Sequence, residues 1–162
     1  MDIHLRVAEE NDLEQVLTYV SAYHEFEGIA HSVVNAASAI RPLLGRSILG
    51  RIWLICHGSQ SIGHIAICFG YSIEFCGRDA VVDEMFILPE HRGKGFGKAV
   101  LALVKSEAAL LGVKALQLEV ARSNESAQSM YKSAGFVARE RFFVMSAPLE
   151  NTLAQQRHQL GQ

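Results

Sequence analysis

The spacing of apolar positions changes several times along the chain, and each change marks an element. Ile3, Leu5 and Val7 alternate with polar residues and predict a first strand. Leu13, Val16, Leu17 and Val20 recur at helical spacing, so a helix is expected over residues 12–23. Asn11 followed by Glu14 has the spacing of a capping box at its start. Residues 33–44 read as a second short helix, weakened near Pro42. Residues 51–57 and 62–70 are strand-like and are joined by a turn at Gly58-Ser59-Gln60. Gly77-Arg78-Asp79 signals the next turn, and residues 80–88 form a long strand after it. The strongest helical pattern covers residues 94–111, with Val100, Leu101, Val104, Ala108 and Leu111 along one side and Gly112 as its stop. Residues 115–121 alternate through Leu116, Leu118 and Val120 as a further strand. Asn124 is placed to cap a helix running to Ala134, Gly135 to end it, and residues 136–146 to form a last strand.

The resulting order is β-α-α-β-β-β-α-β-α-β, an α+β arrangement of a mixed, mostly antiparallel sheet layered with helices. Residues 80–121 make its crossover unit, for which a right-handed connection is expected. A chain of 162 residues fits one domain, taken as residues 1–148, with residues 149–162 as a polar tail. The composition, 49% hydrophobic and 20% charged, is that of a globular protein able to build a core without staples. A net charge of −2 carries no polybasic footprint for nucleic acid. No apolar stretch reaches the roughly 20 residues that span a bilayer, and the N-terminus lacks the pattern of a signal peptide. Cys56, Cys68 and Cys76 have no CxxC spacing and read as free thiols of a cytoplasmic protein.

Chemistry concentrates where the third predicted helix begins. Phe86-Ile87-Leu88 stops at Pro89, and Gly93, Gly95 and Gly97 follow at every second position before the helix. A strand ending in a glycine-rich loop that opens a helix is a ready anion site, because the backbone can approach closely and free N–H groups point at the ligand. A Walker loop would require GxxxxGK followed by Ser or Thr, which this sequence lacks. A dinucleotide fingerprint would require GxGxxG, whereas the pattern here is Arg92-x-x-Gly95-x-Gly97.

That pattern, preceded by Phe86-Ile87-Leu88-Pro89, resembles the acetyl-coenzyme A signature of the GNAT superfamily of N-acetyltransferases. The acidic pair Asp83-Glu84, the helix behind the loop, Asn124 with Ala127, and Tyr131-x-x-x-Gly135-Phe136 match the same family in register. The resemblance implies that backbone groups of Met85, Phe86 and Ile87 pair with the pantetheine arm, which requires their strand and the one holding Leu118 to splay. It implies that N–H groups of Arg92, Gly93, Lys94, Gly95, Phe96, Gly97 and Lys98 cradle the pyrophosphate, aided by the helix dipole. The Arg92 and Lys94 side chains would add charge, Phe96 would pack into the core, and Asn124 would combine helix capping with a pantetheine contact. Tyr131 stands where the family commonly has a general acid that protonates the coenzyme A sulfur. As neighbours on a strand, Asp83 and Glu84 are expected to point to opposite faces, and either one is a candidate base.

Tyr23, Glu25, Glu27 and Tyr71 are the candidate acceptor residues, since aromatic faces and carboxylates both attract an ammonium ion. The segment Phe69-Gly70-Tyr71-Ser72 with the later Gly77-Arg78 resembles the polyamine and diamine acetyltransferase subgroup, which implies a small primary amine as acceptor. A protein N-terminus or lysine remains an alternative acceptor, and a coenzyme A-sensing module without turnover an alternative class. His24 with His31 and His57 with His64 lack metal-ligand spacing, so no metal is expected. The apolar run Phe142-Phe143-Val144-Met145 is a candidate homodimer contact, as relatives of this family often pair through their last strands.

Overall fold

A computed structural model describes residues 2–29 and 33–147, with residues 33–35 described by backbone alone. In chain order the elements are β1 (Ile3–Val7), α1 (Leu13–Glu27), α2 (Val33–Ile40), β2 (Gly50–His57), β3 (Gln60–Ser72), β4 (Gly77–Ile87), α3 (Phe96–Leu110), β5 (Ala115–Leu118) and α4 (Glu125–Ser133). The strands form one sheet in the order β1-β2-β3-β4-β5. Its first three pairings are antiparallel, and β4 and β5, joined across α3, are parallel.

Helices cover both faces of the sheet, which explains why β2 reads as an unbroken apolar run. Its even positions Ile52 and Leu54 pack with Val16, Leu17, Tyr19 and Val20 of α1. Its odd positions Trp53 and Ile55 pack with Val100, Val104 and Ala108 of α3. Each large side chain buried in this way stabilises the fold by about 1.5–3 kcal/mol. Gly63 marks the tightest strand contact near the site: a Cβ there would lie 2.0 Å from the Phe86 carbonyl oxygen. Gly63→Ala is therefore expected to lower unfolding stability by about 1–3 kcal/mol, measurable in urea; an unchanged midpoint would show that β3 and β4 can part at no cost.

Several boundaries differ from the sequence reading, each for a local reason. Helix α1 starts at Leu13, after a 3-10 turn over Glu10–Asp12. Its entry is organised by Asp12 rather than by Asn11 and Glu14. The Asp12 carboxylate accepts from the Glu9 N–H at 2.9 Å and from both Arg6 terminal nitrogens at 2.8 Å. At its other end α1 runs a full turn past Tyr23 and stops at left-handed Gly28 (φ 68°). Helix α2 gives way after Ile40 to a 3-10 turn containing Pro42. The turn between β3 and β4 lies over residues 73–76, so Gly77-Arg78-Asp79 is strand, paired with Gly70, Tyr71 and Ser72. Strand β5 is short, and residues 136–147 form no strand. Val137, Phe143, Val144 and Met145 are instead strongly exposed. The polar tail expected over 149–162 lies outside the described residues. No described helix is long and apolar enough to cross a membrane, and all three cysteines are free thiols.

Candidate active site

Strand β4 pairs with β5 only from Asp79–Ala115 to Val82–Leu118, yet β4 itself continues to Ile87. Past that point the two chains part. A cleft of about 470 Å³ opens between Met85–Ile87 on one side and Glu119, Val120 and Ala121 on the other. Tyr23 and, from the extra turn of α1, Phe26 and Glu27 line it, as do Asn124 and Tyr131 and the loop before α3. The three α1 residues share one helical face, while Glu25 is exposed on the other side of the helix and lies outside the cleft. Tyr71 is also set apart, 81% exposed at the far end of the β3–β4 hairpin.

The loop has the backbone of an anion cradle. Gly93 (φ 72°) and Gly95 (φ 78°) are left-handed, and Gly95 is the N-cap of α3. The first helical bond of α3 runs from the Ala99 N–H to the Gly95 carbonyl. The N–H groups of Phe96, Gly97 and Lys98 thus have no partner within the helix. Phe96 is buried against the α3-side core, with Val100 and Ile87 among its neighbours there. The Arg92 and Lys94 side chains are exposed, and each donates to a main-chain carbonyl of the segment around the loop. Arg92 Nε donates to the Ile87 carbonyl at 2.8 Å, and its guanidinium lies over the Phe26 and Phe86 rings. Lys94 Nζ donates to the Glu90 carbonyl at 2.8 Å. Asn124 caps α4, its Oδ1 accepting from the Ala127 N–H at 3.0 Å, and lines the cleft at the same time.

The acidic pair does not follow simple strand alternation. Ala66 pairs with Glu84 and Ile67 with Val82, which leaves Asp83 as the extra residue of a β-bulge. The bulge resets the phase: Val82 packs on the α3 side, and Phe86 on the α1 side. Asp83 lines the cleft, whereas Glu84 turns beneath α1. One Glu84 oxygen is 2.6 Å from His24 Nε2, and the other is 3.0 Å from His64 Nε2. His64 is fully buried, with its ring stacked parallel to that of Tyr19 at 6.3 Å.

These environments separate the two carboxyls. Burial pushes Glu84 up, but the hydrogen bonds and charges of His64 and His24 outweigh it, and the group ends below its ordinary range. Asp83 is raised, first by burial and then by the charge of Glu84, with Glu119 adding to it and the two histidines opposing. The Tyr131 hydroxyl is raised by burial and by the charge of Glu27, so it keeps its proton beyond the usual tyrosine range. Tyr23 is pushed up to about 12 by burial and by the surrounding carboxylates.

The structure thus brings Asp83, Tyr131, Tyr23, Glu27, Asn124 and the glycine loop to one cleft and leaves Glu25 and Tyr71 out of it. The meeting of His24 and His64 on Glu84 is not among the expectations from sequence. Their signals were a polar residue inside the apolar strand Ile62-Gly63-His64-Ile65 and another four residues after Val20 on the buried face of α1. Among the described residues no cluster of His, Cys, Asp or Glu is arranged to hold a metal ion.

Comparison with known proteins supplies the context for this cleft. Residues 18–136 match the Acetyltransferase (GNAT) family. The chain is 25% identical over 149 residues to thialysine N-epsilon-acetyltransferase of Mus musculus, covering 81% of this chain and 82% of that protein. An integron cassette protein from the mobile metagenome of Cole Harbour Salt Marsh superposes with a TM-score of 0.78 at 35% identity, covering 90% of this chain and 91% of that one. A predicted acetyltransferase of Clostridium acetobutylicum, solved with acetyl-CoA, has the same fold at a TM-score of 0.72 and 19% identity, covering 89% and 96%. The family match spans most of the chain, from within α1 to the residues after α4, and on that basis this protein belongs to the GNAT family and is an acetyltransferase.

Proposed function

We propose that this enzyme transfers the acetyl group of acetyl-CoA to the primary amine of a small cationic acceptor of polyamine or diamine type, by direct attack in a ternary complex. The observation that carries the reading is that Asp83 and Tyr131, whose carboxyl and hydroxyl are both raised, line the same cleft as the glycine loop. The cleft fits the cosubstrate: no strand of the described sheet pairs with Met85–Ile87 opposite β3, and the Phe96, Gly97 and Lys98 N–H groups at the start of α3 have no partner within the helix, whereas the Arg92 N–H already donates to the Pro89 carbonyl at 3.1 Å. In this reading Met85, Phe86 and Ile87 hold the pantetheine arm, the loop from Arg92 to Lys98 holds the pyrophosphate, and Asn124 and Ala127 border the arm. When bound, acetyl-CoA supplies an acetyl thioester activated towards amines.

The protein's part is to place two protons. Asp83, made more basic by its surroundings, takes the proton that the acceptor ammonium must lose. Tyr131, still protonated at neutral pH, donates to the leaving sulfur. Tyr23, Phe26, Glu27 and Glu119 surround the acceptor end with aromatic faces and negative charge, which favours an ammonium ion. The name of the mouse relative, a thialysine Nε-acetyltransferase, is consistent with a small amine. Release of coenzyme A with polyamines, diamines, amino acids, aminoglycosides and a lysine peptide tests the acceptor class. Selective turnover of the small diamines supports the proposal, and turnover of the peptide alone rejects it.

A homodimer belongs to the same proposal. Phe142, Phe143, Val144 and Met145 stand exposed, and Phe142–Val144 border a groove along β5, the last strand of the sheet. Light scattering is expected to give twice the chain mass; a monomer at high concentration would remove the second copy.

A further inference from the structure

We propose that His24, Glu84 and His64 form a positioning network behind the bulge: the two imidazoles occupy both oxygens of Glu84, hold it as a fixed carboxylate, and leave Asp83 as the carboxylate that meets the acceptor. The inference deepens the proposed reaction and rests on it for its catalytic meaning. Its geometric basis is independent of that reaction.

Among the described residues Glu84 is the one hydrogen-bond partner of the fully buried His64 ring: Nε2 meets Glu84 at 3.0 Å, while Nδ1 is buried with none. A buried imidazole with one satisfied nitrogen is costly unless that bond is strong. The orientation donates the Nε2 proton to the carboxylate, as a charge-assisted bond. The ring is prevented from turning away. Tyr19 lies parallel to it at 6.3 Å, and the Tyr19 hydroxyl is itself anchored by donating to the Ser61 carbonyl at 2.9 Å. His24 completes the arrangement from α1, at 2.6 Å from the second oxygen. With both oxygens engaged, Glu84 is poorly placed to take a proton from the acceptor.

The network acts on Asp83 through charge. Besides Glu84 on its own strand, Asp83 is faced by His64 from β3, by His24, Tyr23 and Glu27 from α1, by Glu119 after β5 and by Tyr131 from α4, with Arg92 in the loop before α3 and Lys98 in the first turn of α3. An ionised neighbour makes Asp83 a stronger base, and the imidazoles moderate the effect. Two adjacent carboxyls pushed apart in this way divide the labour: one holds charge and the other moves a proton.

The test is carbon NMR of the Asp83 carboxyl across a pH titration, with proton NMR of the imidazole N–H groups, in the full chain. In the wild type, downfield Nε2 protons are expected from both His24 and His64, and both signals shift or vanish in Glu84→Gln. Asp83 is expected to titrate at lower pH in Glu84→Gln and at higher pH in His24→Ala. These opposite shifts are not produced by a general loosening of the fold, and each variant reads the network separately should the other fold poorly. The same directions are expected in the acidic limb of kcat, with kcat in Glu84→Gln reduced about tenfold or more and the KM of the amine within about twofold. Unmoved Asp83 titration, or a His64 proton on Nδ1, overturns the network. If the titrations move as stated while no amine on the panel is acetylated, the network stands and the proposed reaction fails. If Tyr131-dependent amine turnover is found with unmoved titrations, the network alone fails.

Discussion

Tyr131→Phe is expected to lower kcat by about 10²–10⁴-fold while leaving acetyl-CoA affinity within a factor of about two. The substitution removes one oxygen from a side chain that borders the cleft and packs edge-on against Phe136 at 6.0 Å. The ring that makes those contacts is retained, so fold and cleft shape are preserved. What disappears is a hydroxyl whose proton is held beyond the usual tyrosine range by burial and by Glu27. Loss confined to kcat is the signature of a group that acts in the transition state rather than in binding. Calorimetric titration with acetyl-CoA and steady-state kinetics on the variant check the two halves of the statement. Unchanged turnover would remove Tyr131 as the acid, and a parallel loss of affinity would make it a binding residue instead.

Asp83→Asn is expected to produce a loss of similar size together with a gain in stability. A base must be ionised to work, so activity rises with pH as Asp83 loses its proton, in a range above that of an ordinary aspartate. The effect on stability has the opposite sign. Burial and the charge of Glu84 make the folded chain hold this proton more tightly than the unfolded chain does. The folded protein is thus favoured below the unfolded carboxyl's pKa, and that advantage is lost as pH rises through the raised value. At neutral pH the asparagine, which carries no charge, escapes the cost. Thermal melting of the two proteins against pH should show the variant more stable at neutral pH, with the difference disappearing in acid. A variant that is inactive and also less stable at neutral pH would show that Asp83 serves packing rather than chemistry.

How much of this was legible in the sequence depended on whether the determinant was local. Elements with strong periodicity were placed well: α3 is expected over 94–111 and observed at Phe96–Leu110, because its apolar side and its Gly112 stop are both written locally. The cap at Asn124 was legible for the same reason. The start of α1, expected at residue 12 and observed at Leu13, was legible, but its entry was not: Asp12 closes on the Glu9 N–H and pairs with Arg6 of β1, six residues earlier, in place of a box between Asn11 and Glu14. The strand expected over 136–146 has the composition of a strand, but strand formation depends on a partner, and composition does not name one. The glycine loop and Tyr131 were readable as a motif. The division between Asp83 and Glu84 was not, since it comes from a one-residue bulge against β3 that inverts the facing of everything after it. His64 and His24 meet Glu84 from 20 and 60 residues away, and no local pattern in the chain encodes that meeting.

The most direct measurement of the central claim is coenzyme A release from acetyl-CoA by the purified wild-type chain against the amine panel, with product masses determined. The account predicts selective acetylation of a small diamine or polyamine, each product heavier by one acetyl group. Tight acetyl-CoA binding with no acetylation of any small amine would contradict it.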